Sequence, residues 1–432
     1  MVLRSQKLAA TLAVAASLAG IPGIANAQPA HAQSASQNSG YWVGSWLAAP
    51  TDALNGADAN LVPILNIADQ TFRVVITPHK GGDQVRVRLT NVERPIPLDI
   101  GAATVAIAGS GAAITTPAVA LTFHGKRSVT IPAGGDELSD PVALDVKSWQ
   151  RLAVSVNVRG LAAFVTQHLN GNATSYYSLP GSGDRTTSHN ANDFPLSTTV
   201  VPIVNRIDVR TAEKTPAVVT FGDSITDGYV ASNYLVVPQD RNVVDRNARY
   251  PDFLQRRLDS AGENRSVVNA GISGNRVTAD GFTVLFGDSA TARLRRDVLE
   301  VPGVKDVILL EGINDLGIPI GANPDQVIAG YKNIIARLKA HGIRVHIATL
   351  LPASDALFDG YTAPLSDPAR QTINHWIRTQ KLTYSVFDFD KALRDRHNPT
   401  ILDPRYSGPD RLHPNPAGYQ KLADTVDLAR LS

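Results

Sequence analysis

The chain contains no cysteine, and Met1 is its only methionine. Disulfides and lipid attachment through cysteine are therefore excluded. Past Met1, no thiol or thioether is offered to oxidants. Stability has to come from a sizeable core, which 432 residues allow. The formal charge is close to balanced at +2, so there is no electrostatic case for nucleic acid. No G-K-[ST] phosphate loop, H-E-x-x-H or G-x-G-x-x-G occurs, and no cofactor or metal is implied. What is present is an ordinary globular composition, 43% hydrophobic and 19% charged, on a length that suggests more than one domain.

The first stretch does not belong to the fold. Arg4 and Lys7 make a positive start, Leu8 to Ile24 is mostly Ala, Leu, Val and Gly, and Ala25-Asn26-Ala27 and Ala30-His31-Ala32 are small-x-small sites. This pattern describes a secretory signal peptide over residues 1–32, cleaved near Ala27 or Ala32, and hence a secreted protein. The alternative is an uncleaved membrane anchor. Against it, the apolar run is short, is interrupted by Gly20, Pro22 and Gly23, and has no positive stop-transfer flank. Residues 33–40, rich in Gln, Ser and Ala, read as a disordered lead-in.

From residue 41 to about 210 the period is two. Val85, Val87 and Leu89 alternate with Arg86 and Arg88; Leu152, Val154, Val156 and Val158 alternate with Arg151, Ser155, Asn157 and Arg159. Such alternation predicts strands with one buried face. Lys80-Gly81-Gly82-Asp83, Ala133-Gly134-Gly135-Asp136 and Gly181-Ser182-Gly183-Asp184 supply turns, and no helical pattern is convincing. Residues 41–210 are therefore expected to form an N-terminal β-sandwich of jelly-roll type. It would act as a structural cap on its neighbour. The competing reading is a carbohydrate or cell-wall surface, with Trp42, Trp46, Tyr176 and Tyr177 stacking on sugars, although strand aromatics usually belong to the core. His168 and His189 read as satisfied polar residues rather than ligands. The polar, Pro-ended segment Thr211–Pro216 marks a boundary, short enough that the two domains should touch.

Beyond it, over residues 215–432, strand and helix patterns alternate. Ala217-Val218-Val219-Thr220 is a buried-strand run, followed by Phe221-Gly222-Asp223-Ser224-Ile225-Thr226-Asp227-Gly228. Asn269 to Asn275 follows a second apolar run, and Glu311-Gly312-Ile313-Asn314-Asp315 follows Val307 to Leu310. Helices are expected over Arg249–Ala261, after Asn323-Pro324 until Gly342, from Asp367-Pro368 and from Asn415-Pro416, with strands at Val345–Leu350 and Ser385–Phe389. This alternation predicts an α/β domain, a parallel sheet covered by helices on both faces. Ser224 then lies on the turn at a strand's carboxyl end, where open α/β sheets bind ligands. A serine hydroxyl needs a base and oxyanion donors to become a useful nucleophile. Asp410-Arg411-Leu412-His413 can provide the base and its partner from one loop. By itself that tetrapeptide could equally be a loop of capping residues.

Together the blocks holding Ser224, Gly274, Asn314 and His413 resemble the SGNH (GDSL) family of serine esterases, over about residues 215–432. The resemblance implies a flavodoxin-like catalytic domain with Ser224 as nucleophile, His413 as general base and then acid, and Asp410 as the carboxylate that fixes the imidazole tautomer. It also implies an oxyanion hole made of the Ser224 and Gly274 backbone N–H groups and the Asn314 side-chain amide. The chemistry suits these residue types. Glycine lets an N–H approach a ligand unhindered, and asparagine offers a neutral N–H₂ donor. Asp223 and Asp315 are expected to anchor their loops. No G-x-S-x-G elbow occurs, so the chain is not a typical α/β-hydrolase.

Arg249 to Leu254, Arg296 to Leu299 with Pro302-Gly303-Val304, and His413 to Tyr419 are similar to one branch of that family, secreted bacterial esterases with an extra N-terminal β domain. Gly44 to Pro50 is similar to the opening of that β domain, and the insert Tyr229–Asn247 departs from the pattern. The expected substrate is a carboxylic ester, an acylated glycan or a lipid ester. A transacylase on the same site, and a glycan-binding protein with a relic hydrolase domain, are the alternatives. Phe-Gly-Asp-Ser occurs a second time at Phe286–Ser289. It leads directly into a helical run, so Asp288 or Ser289 should cap that helix with its side chain.

Overall fold

The computed structural model describes residues 40–51, 66–235, 239–280, 286–317, 321–356 and 366–431. The signal peptide and nearly all of the lead-in lie outside the described residues, as does part of the Tyr229–Asn247 insert.

The N-terminal half consists of antiparallel sheets. One sheet centres on Val204–Thr211, which pairs with Tyr41–Leu47 on one side and Gly82–Thr90 on the other. A second centres on Leu152–Ala163, between Asn66–Ile76 and Leu98–Ile107, and a third, two-stranded sheet pairs Gln167–His168 with Val201–Pro202. Val85, Val87, Leu89, Ile207 and Val209 of the first sheet share a buried core with Phe72, Val74, Ile76, Val154 and Val156 of the second. The two-residue period places these side chains on one face, and burying that face is what joins the sheets. Among the described residues of this half, Ala191–Asp193 is the one helical turn.

Alternation did not translate into one wet face on the central strand. Every residue from Leu152 to Val158 is buried, Ser155 and Asn157 included. The cause is a second layer over the polar side. The Arg73 guanidinium, itself buried, donates to Ser155 Oγ (2.8 Å), Ala112 O (2.7 Å) and Ser188 O (2.8 Å) and lies 4.0 Å from the centre of the Phe194 ring. Burial lowers its pKa to about 10, against the opposing pull of Asp193. The polar positions are thus internal hydrogen-bond partners rather than a solvated face.

The C-terminal half is a parallel sheet of five strands: Ser266–Gly271, Ala217–Gly222, Val304–Leu310, Arg344–Ala348 and Ser385–Phe387, in that spatial order. Its strands are almost continuously apolar and buried, as expected when helices cover both faces. The helices include Tyr250–Ser260, Pro324–Ala340, Ser366–Thr379 and Pro416–Thr425. Asn323 accepts from Gln326 N at 3.0 Å and Gln326 reaches back to Asn323 N, a capping box with Pro324 at the first helical position. The strand expected to reach Phe389 stops at Phe387, because Asp388 accepts from Lys391 N and starts a short helix, Phe389–Leu393. Among the described residues no helix is long and apolar enough to cross a membrane.

The two halves share one core. Val43, Val85 and Ile207 belong to the same apolar cluster as Val219, Val268 and Leu309. Tyr41–Leu47 packs on the Ser266–Gly271 edge strand, Gly44 N donating to Pro302 O (3.0 Å) and Ser266 Oγ to Gly44 O (2.7 Å). Polar contacts cross the same seam: His79 to Asp252 (3.0 Å), Arg88 to Glu300 (2.8 Å), Trp149 Nε1 to Asp259 (2.9 Å) and His168 to Asp227 (3.1 Å).

Candidate active site

The strand Ala217–Gly222 delivers Ser224 to its carboxyl end, as the first residue of a one-turn helix, Ser224–Asp227. Asp223 precedes it in extended conformation and its Oδ1 accepts from Ile225 N at 2.9 Å. Gly228, at φ +87°, closes the turn with its N–H on Ser224 O. This cap and stop hold the serine side chain where the sheet opens.

The loop before the last helix brings His413 up to Ser224. His413 Nε2 is 2.8 Å from Ser224 Oγ, and His413 Nδ1 is 2.5 Å from Asp410 Oδ2. The other Asp410 oxygen accepts from the Leu412 and His413 backbone N–H groups at 3.2 and 3.1 Å. Burial raises the Asp410 carboxyl's pKa, but the His413 charge and these hydrogen bonds win and hold it below the usual carboxylate range. Ser224, Asp410 and His413 are 6%, 0% and 4% exposed, so the row is shielded from bulk water. Tyr229, whose carbonyl accepts from the Tyr419 hydroxyl (2.5 Å), sets its ring 4.9 Å from that of His413.

Gly274 lies in the loop after Ser266–Gly271, at φ +79°; a Cβ there would stand 2.2 Å from the Phe286 ring, so both backbone conformation and space demand glycine. Asn314 does not end the strand Val304–Leu310 but sits one step on, in the short helix Ile313–Leu316. Its Nδ2 donates to Asn275 O at 2.9 Å, a bond that orients the amide. Three neighbouring strands thus hand Ser224, Gly274 and Asn314 to the same end of the sheet. Asp315 accepts from Val277 N (2.9 Å), Thr278 N (2.8 Å) and Thr278 Oγ1 (2.6 Å), which is a loop anchor.

Several supporting residues escaped the sequence reading. Arg293, fully buried, donates to Gly222 O (2.9 Å), Ala270 O (2.8 Å) and Asn275 Oδ1 (2.9 Å) and pairs with Asp297. It ties the strand before Ser224, its neighbour and the Gly274 loop together. Asn275 Nδ2 in turn holds the Phe286 and Asp288 carbonyls. Asp227 Oδ2 accepts from the backbone N–H (3.1 Å) and hydroxyl (2.7 Å) of Ser273. An arginine at an apolar helix position was the available signal for Arg293; for Asp227 there was none beyond its place in the motif.

Two buried acids lie beneath the Ser224 turn. Asp223 Oδ2 and Glu311 Oε1 have no hydrogen-bond partner among the described residues. Burial drives Asp223 up to about 7, against the Ile225 N–H and His413, and drives Glu311 well above its usual range. Arg293 offsets only part of this, its own pKa lowered by the same burial. Among the described residues no group of His, Asp and Glu is arranged to hold a metal ion.

Ser289 precedes the helix Ala290–Leu294 but makes no side-chain cap: its Oγ lies 3.2 Å from Thr291 Oγ1, and its backbone N–H is taken by Asp280. The expected cap by Asp288 is absent too, because its carboxylate turns to Arg296 at 3.1 Å.

A parallel sheet flanked by helices, with hydroxyl, imidazole and carboxylate in one hydrogen-bonded row at its carboxyl end, has the parts of a serine hydrolase. Residues 220–421 match the model of the GDSL-like Lipase/Acylhydrolase family. The chain carries a domain of this family and is an ester hydrolase. Among solved structures it is similar to the inhibitor-bound aryl esterase of M. smegmatis (17% identity, 48% of this chain and 95% of that one, TM-score 0.39). It is also similar to a carbohydrate acetylesterase from Sinorhizobium meliloti (15%, 50% and 100%, TM-score 0.38). A third is a GDSL-like lipase from Bacteroides thetaiotaomicron VPI-5482 (19%, 50% and 87%, TM-score 0.34). No curated protein matches the chain.

Proposed function

We propose that this protein is an exported serine esterase that works through an acyl-Ser224 intermediate. The observation that carries the reading is the row Ser224 Oγ, His413 Nε2, His413 Nδ1 and Asp410 Oδ2, at 2.8 and 2.5 Å. Ser224 Oγ attacks the ester carbonyl and its proton passes to His413 Nε2. Asp410 stabilises the imidazolium so formed. The Ser224 and Gly274 backbone N–H groups and the Asn314 amide take the negative charge on the carbonyl oxygen. His413 then gives its proton to the leaving alcohol, and a water activated by the same base releases the acid. Residues 41–210 are read as an accessory β-sandwich and 215–432 as the catalytic domain, whose 2-1-3-4-5 strand order supports the flavodoxin-like description. Export rests on the signal pattern of residues 1–32. The acyl part of the substrate, short as on an acylated glycan or long as in a lipid, is read from activity: purified enzyme is assayed on aryl esters from acetate to palmitate. Hydrolysis that falls by several orders of magnitude in His413→Ala is the expected result. An unchanged rate in that variant would remove the base from the mechanism.

A further inference from the structure

Two histidines of the N-terminal half reach across the seam, and they differ in what they touch. His79 Nδ1 faces Val267 O (2.6 Å) and Nε2 faces Asp252 (3.0 Å). Val267 is near the beginning of its parallel strand, about 13 Å from the carboxyl end at the usual rise per residue. His168 lies at the other end. Its Nδ1 is 2.8 Å from Ala49 O and its Nε2 is 3.1 Å from Asp227 Oδ1, and both His168 and Asp227 are buried. A carbonyl and a carboxylate both only accept, so the two contacts are hydrogen bonds together when each ring nitrogen carries hydrogen: Nδ1–H anchors the ring to its own half and Nε2–H donates to Asp227.

Asp227 ends the turn that begins with Ser224. Its other oxygen holds both polar groups of Ser273, the residue before Gly274. The carboxylate therefore bridges the N-terminal half and the loop read above as an oxyanion donor. The chain around His168 presses on the same turn. Asn172 Nδ2 donates to Gly228 O at 3.1 Å, Gln239 Nε2 bonds to Asn172 Oδ1, and Arg249 donates to Asn170 O (2.9 Å) and Gly171 O (2.5 Å). Residues 167–172 thus form a strap from the β half against the nucleophile turn.

We infer that His168 is a positioning residue for ester hydrolysis: it fixes the Asp227 carboxylate, which fixes Ser273 and so the Gly274 N–H relative to Ser224. The inference rests on the serine-esterase reading. It makes the β half a structural part of the active site rather than only a cover. Oxyanion donors act because they are held in place before charge develops, and a displacement of about 1 Å can cost about 10² in rate. The effect should fall on kcat, since the oxyanion contact is made fully only in the transition state.

The test compares substitutions that separate the two ring nitrogens. In His168→Asn the amide stands near the Nδ1 position and keeps the Ala49 anchor; in His168→Gln it stands near Nε2 and keeps the Asp227 contact. With an aryl acetate, His168→Ala and His168→Asn should lose about 10- to 10²-fold in kcat with KM within about twofold. His168→Gln should recover most of the loss, and His79→Gln should leave kcat unchanged. Equal kcat in the Asn and Gln variants overturns the inference, as does a kcat loss in His79→Gln matching that of His168→Ala. If His168→Ala does not fold, the Asn and Gln pair carries the test. Failure of all three to fold also overturns it, by making His168 a determinant of folding alone. Ser224→Ala runs beside them. If it stays active, the serine-esterase reading fails. If it is dead while His168 variants keep full kcat, only the positioning role fails.

Discussion

Phe-Gly-Asp-Ser appears at Phe221–Ser224 and again at Phe286–Ser289, and the two copies do different work. In the first, Phe221 and Gly222 finish a buried parallel strand, Asp223 caps a single helical turn, and Ser224 meets His413. In the second, Gly287 is at φ +68°, the Asp288 carboxylate goes to Arg296, and Ser289 stands before a helix without capping it. The copies also touch through intermediaries. Phe286 fills the space that a Gly274 side chain would need, Asn275 holds the Phe286 and Asp288 carbonyls, and Arg293 from the helix after Ser289 grips Gly222 O. The second copy thus buttresses the loop beside the first. A tetrapeptide does not carry a function; the strand in front of it and the groups facing it do.

The largest test of this contrast is to exchange each serine for alanine. Ser224→Ala should abolish turnover and labelling by a fluorophosphonate while the fold survives, and Ser289→Ala should keep both. Peptide mapping of the labelled enzyme decides between them, and label on Ser289 would reverse the assignment. Next in size is Gly274→Ala, which forces a side chain into the Phe286 ring at positive φ. A kcat loss of about 10² is expected, partly recovered in the double variant with Phe286→Ala, because that change removes the steric share but not the backbone strain. A double variant no better than Gly274→Ala would show that the ring is not the obstacle.

A smaller effect separates the two aspartates. Asp223 is held up to about 7 by burial, above the ordinary value of 3.8 that it would regain on unfolding. A raised acid binds protons more readily in the folded state. Its contribution is complete below the unfolded value and is lost as pH rises through about 7. Melting temperature should therefore fall between about pH 4 and pH 7 by a component that Asp223→Asn removes and Asp288→Asn leaves in place. Asp410 runs the opposite way: its pKa is lowered, so its contribution is present above the unfolded value and fades as pH falls further. Identical pH profiles for wild type and Asp223→Asn would exclude an ionisable burden at that position. The smallest effect is the stability cost of Ser289→Ala. With no side-chain cap to lose, it should stay within about 0.5 kcal/mol in urea unfolding. A loss of 1 kcal/mol or more, the usual value of a cap, would mean that the hydroxyl caps in solution.

Period and punctuation were enough for much of the architecture. The short β-branched apolar runs at Ala217, Val307 and Val345 read as strands covered on both sides, and Asn323-Pro324 and Asn415-Pro416 announced helices through capping chemistry local to a few residues. The order of the blocks around Ser224, Gly274, Asn314 and His413 was likewise legible, since each follows a strand or precedes a helix. What stayed hidden depends on groups far apart in the chain. Ser155 read as part of a wet face because nothing local says that Arg73 and Phe194 will cover it, and Asn157 because nothing local says that its amide will donate to Gln70 O. Asp288 and Ser289 read as caps on local grounds, although Arg296, eight positions on, takes the Asp288 carboxylate and the Ser289 hydroxyl faces Thr291. His168 lies 59 positions from Asp227, and Ser273 is 46 positions further on. Hydrogen-bond partners of buried polar groups are chosen by packing, which brings together whatever side chains the folded backbone leaves within about 3 Å. The sequence alone therefore determined many of the elements and their order, and it named the residues proposed for ester chemistry. Only the tertiary structure decided that the β half reaches into the floor of the site, because that contact exists only once the two halves share one core.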